Sequence, residues 1–232
     1  QIIKNDEIAA EEKIALCQDT GMGVVFIELG QEAIIVDGDF NEAINQGVRD
    51  AYTGGYLRKS VVSEPVFDRT NTKDNTPAIT HIKIVPGDKV KIAVTAKGFG
   101  SENMSSIKML KPADGVEGVK EFVIKTAVDA GPNPCPPTIV GVGIGGTMEM
   151  AAILSKKALL RPVGKHNEDS RYAELETEIL QEINKSGIGP AGLGGRTTAL
   201  SVNIEHFPTH IAGLPVAVNI CCHAARHAEK VI

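Results

Sequence analysis

Tryptophan is absent, and only three Tyr and six Phe occur among 232 residues. So few rings leave little from which to build a stacking platform for single-stranded nucleic acid. A basic excess is missing too. Against 29 Asp and Glu stand 24 Lys and Arg, a net charge of −5, which argues against nonspecific nucleic-acid binding. No apolar run approaches the roughly 20 residues of a membrane-spanning helix, so no membrane association is expected. The opening residues do not read as a signal peptide. Four cysteines are too few for a disulfide framework in a chain this long; they read as thiols in a reducing, cytoplasmic compartment. Repeats, low-complexity tracts and clear linkers are also lacking. The chain begins with Gln1 inside a helical pattern, so it is expected to lack its natural start.

What is present is a succession of strand and helix patterns. Residues 1–14 read as the end of a helix, with Ile2, Ile3, Ile8 and Ile14 among charges. The run Val24-Val25-Phe26-Ile27-Glu28-Leu29 has the pattern of a buried strand. A helix is expected over 41–52, capped by Asp39 or Asn41, with Gly54 just past its end. Residues 79–85 and 88–96 alternate apolar and polar side chains around Pro86-Gly87-Asp88, which predicts a hairpin. Further helices are expected at 115–129, 147–160 and 170–185. The last has Leu175, Ile179 and Ile183 at spacing four. Strands are expected at 138–142, 198–205 and 214–221.

The chemistry-bearing residues centre on three separated thiols: Cys17 in Cys17-Gln18-Asp19-Thr20-Gly21, Cys135 in Asn133-Pro134-Cys135-Pro136-Pro137, and Cys222 in Cys221-Cys222-His223. Each stands beside turn residues or past a strand end, where a side chain can face a shared pocket. Soft thiolates suit iron–sulfur clusters, Zn or Cu(I). Buried cysteine is equally a small hydrophobe. Three thiolates on a four-iron cluster would leave one iron open as a Lewis acid. Cys221 and Cys222 are adjacent on a strand end and point to opposite sides, so one of them is expected to serve.

Other segments carry paired readings. If 222–227 is helical, His223 and His227 share a face and could hold Zn; otherwise they are solvated histidines. Gly141-Val142-Gly143-Ile144-Gly145-Gly146 contains GxGxxG. However, the following segment leads into another helix and not into the acidic-ended strand that a dinucleotide site needs. Lys97-Gly98-Phe99-Gly100-Ser101-Glu102-Asn103 suits an anion cradle or a tight turn. Arg58 could grip a carboxylate through two N–H groups, or simply be solvated. Asp19 could act as a general acid or base, or cap a turn. His210, between two strand patterns, is a plausible pocket residue or an ordinary loop histidine.

Taken in order, six of these strings resemble the class I fumarate hydratases, the iron–sulfur fumarases, and their relatives the tartrate dehydratases. They are Cys17-Gln18-Asp19-Thr20-Gly21, Asp74-Asn75-Thr76-Pro77, Lys97 through Ser105, Cys135-Pro136-Pro137, Gly141 through Thr147, and Cys222 through His227. The resemblance spans most of the chain and points to the α subunit or N-terminal cluster-binding domain. It implies an α/β fold, with mixed β-sheets flanked by helices in one cluster-binding domain over 1–232. It implies a hydro-lyase that reversibly hydrates fumarate to malate, or alternatively an L-tartrate dehydratase. By the same resemblance, Cys17, Cys135 and Cys222 hold a [4Fe–4S] cluster. Gln18, Asp19, Arg58, His210 and the loop Gly98–Gly100 contact a small dicarboxylate, with Asp19 also catalytic. Cys221 departs from the polar residue common in the family. A β subunit is expected to complete the site, in a heterotetramer.

Overall fold

A computed structural model describes all of Gln1–Ile232. The chain forms two compact units, residues 1–99 with 226–232, and residues 100–225. Each is mixed α/β, with one mixed four-stranded sheet flanked by helices.

The first unit opens with α1 (Ile2–Glu12), which buries no residue. β1 (Met22–Gly30) follows, with Val24, Val25, Phe26 and Ile27 all buried. α2 (Phe40–Gly54) starts where the Asp39 carboxylate accepts from Glu42 N–H at 2.9 Å. β2 (Ile79–Val85), β3 (Val90–Lys97) and β8 (His227–Val231) complete a sheet in the order β2-β1-β3-β8. β1 pairs parallel with β2 and antiparallel with β3, and β3 pairs antiparallel with β8.

The expected hairpin therefore does not form. Its two strands exist at the anticipated residues, but β1 lies between them. A strand with apolar side chains on both faces belongs inside a sheet, while the alternating β2 suits an edge. The connection over 86–89 crosses the end of β1, where Gly30 N–H donates to Lys89 O and Gln31 N–H to Val85 O, both at 2.8 Å.

The second unit contains β4 (Ser106–Leu110), α4 (Gly115–Ala130), β5 (Thr138–Gly145), α5 (Met148–Ala158), α6 (Ser170–Lys185), β6 (Ala199–Phe207) and β7 (Leu214–Cys221). A single turn, α3 (Phe99–Glu102), precedes them. The strand order is β4-β7-β5-β6, with β5 parallel to β6 and antiparallel to β7. Alternation along the central strands divides the layers. Val140, Val142 and Ile144 of β5, with Val216, Val218 and Ile220 of β7, join Val119 and Val123 of α4 and Ile179 and Ile183 of α6 in the main core.

The opposite face carries Gly141 and Gly143, and α5 packs on it. A Cβ on Gly141 would stand 2.1 Å from Ser155 O, and one on Gly143 2.0 Å from Ala151 O. The glycine run thus brings helix and strand backbones together, and α5 already fills the space a ligand would need at these two positions.

A buried ion pair locks α6 to β6. Glu176, 1% exposed, accepts from Arg161, from Ile204 N–H at 2.7 Å and from Asn167 N–H at 3.0 Å. Arg161 also donates to Glu205 and to the Ile204 carbonyl.

Candidate active site

In the first unit the segment 17–21 is held by contacts from distant parts of the sequence. The Asp19 carboxylate accepts from Gly21 N–H at 3.0 Å and from Phe99 N–H at 2.8 Å. The Asp19 carbonyl accepts from Arg226 Nη1 at 3.0 Å. Arg226 is delivered there by β3, because Ala96 N–H and the Thr95 hydroxyl both donate to its own carbonyl at 3.0 Å. Gly98 is buried between these groups. A Cβ on it would lie 3.4 Å from Asp19 Oδ2 and 3.7 Å from Arg226 Nη2. Cys17 is half-buried, and its thiol stands 3.5 Å from Gln18 Oε1, while Gln18 itself is exposed.

Arg58 is exposed, on a stretch without regular secondary structure. Its carbonyl accepts from the Thr20 hydroxyl at 3.0 Å. The Tyr52 hydroxyl lies 2.9 Å from both the Thr20 and Gly21 carbonyls and can donate to one at a time. Burial pushes the Tyr52 phenol up, so it remains a neutral donor. Asp19, Gly98 and the main chain of Arg58 are thus brought together. Arg226, Tyr52 and Asn75, which link them, had no expected role. Two of the three lie inside matching strings, Arg226 in Cys222–His227 and Asn75 in Asp74–Pro77, and that was the available signal.

In the second unit Cys135 is exposed on a left-handed backbone position, φ 55°, just before Pro136-Pro137. His223 Nδ1 lies 3.0 Å from the Cys135 carbonyl, which brings the end of β7 beside the Cys135 turn. Cys221 is 6% exposed and packs with Ile139 and Leu159 in an apolar cluster. Cys222, one residue on, is half-buried. Residues 222–226 form no helix, and His227 opens β8, so the condition for a His223–His227 Zn pair, a shared helix face, is not met.

Gly100 is exposed, and a Cβ there would be 3.7 Å from Asn133 O. His210 is exposed, and its Nδ1 accepts from Ala212 N–H at 3.2 Å, which leaves Nε2 to carry the proton in the neutral ring. Within neither unit do three or more His, Cys, Asp or Glu side chains gather into a group that could hold a metal ion by itself. All four cysteines are thiols. No helix is long and apolar enough to cross a membrane.

The arrangement offers separate thiols, a carboxylate fixed by two backbone donors, and an exposed guanidinium. Residues 1–231 match the family model described as fumarate hydratase (fumerase). The chain belongs to the fumarate hydratase family. Its members are hydro-lyases, and the chain is a hydro-lyase of this family. It is 46% identical over 233 residues to a Methanocaldococcus jannaschii protein provisionally named an L(+)-tartrate dehydratase subunit alpha; the match covers 99% of this chain and 82% of that protein. It is also 36% identical over 220 residues to the L(+)-tartrate dehydratase subunit alpha of Escherichia coli K12, covering 93% of this chain and 72% of the relative.

Proposed function

We propose that the chain is the α subunit of an iron–sulfur hydro-lyase acting on a four-carbon dicarboxylate, with fumarate and malate as the substrate pair. The observation that carries this reading is the joint anchoring of Asp19, Gly98 and the Arg58 main chain in the first unit. It supports reading Asp19 as the acid–base group and Arg58 as the carboxylate-binding group.

The donor set fits a thiophilic cofactor. Cys17 and Cys222 are half-buried, Cys135 is exposed, and all three are thiols. The burial of Cys221 in an apolar cluster supports Cys222 as the third ligand. We therefore assign a [4Fe–4S] cluster to Cys17, Cys135 and Cys222. When bound, its open iron supplies a Lewis acid that eases C–O cleavage.

The chain's own residues do the rest. Hydration adds hydroxyl to one alkene carbon and a proton to the other, and the reverse removes a proton next to a carboxylate. Arg58 pairs with a substrate carboxylate and holds charge as it builds there. His210, whose Nδ1 accepts from Ala212 N–H, offers Nε2 toward the substrate as a further polar contact. Asp19 is held by Gly21 and Phe99 N–H, which fixes the carboxylate that orients or accepts the transferred proton. Gln18 and the Gly98–Gly100 loop complete the substrate contacts, with buried Gly98 leaving room beside the Asp19 carboxylate. A β subunit supplies the remaining groups, in a heterotetramer, and the enzyme works in the cytoplasm.

A second reading is L(+)-tartrate dehydration, favoured by the names of the relatives. The two differ by substrate hydroxyls. Anaerobic reconstitution with iron and sulfide, addition of the β subunit, and assays with malate and L(+)-tartrate side by side test both. Turnover of malate with kcat/KM well above that for tartrate is expected. The opposite order would establish the second reading, and turnover of neither would overturn both.

A further inference from the structure

Asn75 is completely buried, 0% exposed, at a left-handed backbone position with φ 65°. A buried polar side chain in a strained conformation is kept only where its hydrogen bonds outweigh the strain. Its Oδ1 accepts from Ser60 N–H at 2.7 Å and Val61 N–H at 3.2 Å. Its Nδ2 donates to Gly21 O at 3.1 Å. One amide therefore ties the segment that follows Arg58 to the segment that follows Asp19.

Asn75 is itself held firmly. Asp74 Oδ1 accepts from Thr76 N–H at 3.0 Å and from the Thr76 hydroxyl at 2.7 Å, and Asp74 Oδ2 accepts from Arg49 Nε of α2 at 3.0 Å. The Thr76 donors and Arg49 hold the Asp74 carboxyl far below the usual carboxylate range. Residues 56–61 lack helix or strand, so side-chain contacts fix this stretch. Asn71 Nδ2 donates to Lys59 O at 3.0 Å, and the Thr20 hydroxyl joins the two segments at the Arg58 carbonyl; the Asn75 amide adds a second bridge, from Gly21 O to the Ser60 and Val61 N–H groups.

We infer that Asn75 is a positioning residue that sets the spacing between Asp19 and Arg58 by clamping the main chains beside them. The inference rests on the reading of Arg58 as a substrate-carboxylate group.

The test uses the reconstituted enzyme with its β subunit, assayed with malate. Asn75→Gly removes the amide without penalising the left-handed backbone. The expected result is a fall in kcat/KM of at least about tenfold, carried mainly by KM, because Arg58 binds through a two-point contact sensitive to small displacements. Iron and sulfide content should be unchanged, and Ser60 and Val61 amides should exchange faster. Arg58→Ala/Asn75→Gly should then be no worse than Arg58→Ala alone, because Asn75 acts through Arg58.

If Arg58→Ala leaves kcat/KM unchanged, the underlying reading fails and the inference fails with it. If Arg58→Ala impairs turnover while Asn75→Gly is silent or additive to it, the inference alone is overturned. Should Asn75→Gly be insoluble, Asn75→Asp keeps an acceptor for Ser60 and Val61 and loses the donor to Gly21; the same non-additivity is expected. Insolubility of both variants would mark Asn75 as a folding residue and overturn the positioning role.

Discussion

At the residue scale, four cysteines of one chemistry fall into two environments. Cys221 faces Ile139 and Leu159 inside the second unit, whereas Cys17, Cys135 and Cys222 are half-buried or exposed. A cluster ligand must meet the cofactor, so burial among aliphatic side chains separates the structural thiol from the rest. Cys17→Ser, Cys135→Ser and Cys222→Ser are each expected to lose most reconstituted iron, while Cys221→Ser retains it. Iron and sulfide content, measured anaerobically, checks this. Arg58→Ala should leave the iron content intact and lower kcat/KM by roughly 10–100-fold, the range expected for losing a two-point charged contact. Steady-state kinetics in the presence of the β subunit provide the measurement.

At the element scale, β5 and α6 give opposite lessons about local signals. The glycines of β5 suggest a ligand loop, but Gly141 and Gly143 admit the backbone of α5. Gly143→Ala forces a Cβ against Ala151 O, and a loss of about 3 kcal/mol or more is expected from overpacking that backbone cannot relieve. Gly47→Ala, with nothing within 4 Å in helix α2, should instead gain about 0.5–1 kcal/mol. Denaturant unfolding of the pair separates the two cases. α6 is legible at both ends, since its apolar positions recur every fourth residue and Asp169 caps it by accepting from Arg171 N–H at 3.0 Å. The Arg171 side chain, then its N–H, lowers the Asp169 carboxyl from 3.8 to about 2. A depressed carboxylate adds stability that is fully present above its unfolded value and is lost as pH falls through the folded one. Stability should therefore decline between about pH 4 and 2, and Asp169→Asn should flatten that part of an unfolding-versus-pH curve.

At the scale of the whole molecule, the chain leaves its first unit after Phe99 and returns at Arg226. The return adds β8 to the edge of β3 and delivers the guanidinium that holds Asp19. Truncation after Ala225 is expected to lower the unfolding midpoint by exposing the β3 edge. It should also speed exchange of the Gly21 and Phe99 amides that hold Asp19, and hydrogen exchange on the truncated chain checks both. In the second unit the buried Arg161–Glu176 pair joins helix to strand. Glu176→Ala leaves Arg161 with Glu205 and the Ile204 carbonyl but removes the acceptor of the Ile204 and Asn167 N–H groups, and thermal unfolding should register a loss of about 1–3 kcal/mol.

The sequence by itself determined the elements whose signals are local. The spacing in 170–185, the apolar run at 24–29 and the alternation at 79–85 each show one face, and one face suffices to name an element. It also supplied the order of the motif residues, Cys17 through His227. Strand partners were decided only in the tertiary structure. β2 and β3 look like a hairpin from their own residues, and what separates them is the need of β1 for neighbours on both edges. β4 and β8 likewise escaped notice, because each is short and mostly or wholly exposed. The linking roles of Asn75 and Arg226 depend on hydrogen bonds to residues 54 and 207 positions away. No pattern within a window of sequence encodes such a contact, because the partner becomes a neighbour only when the sheet is assembled.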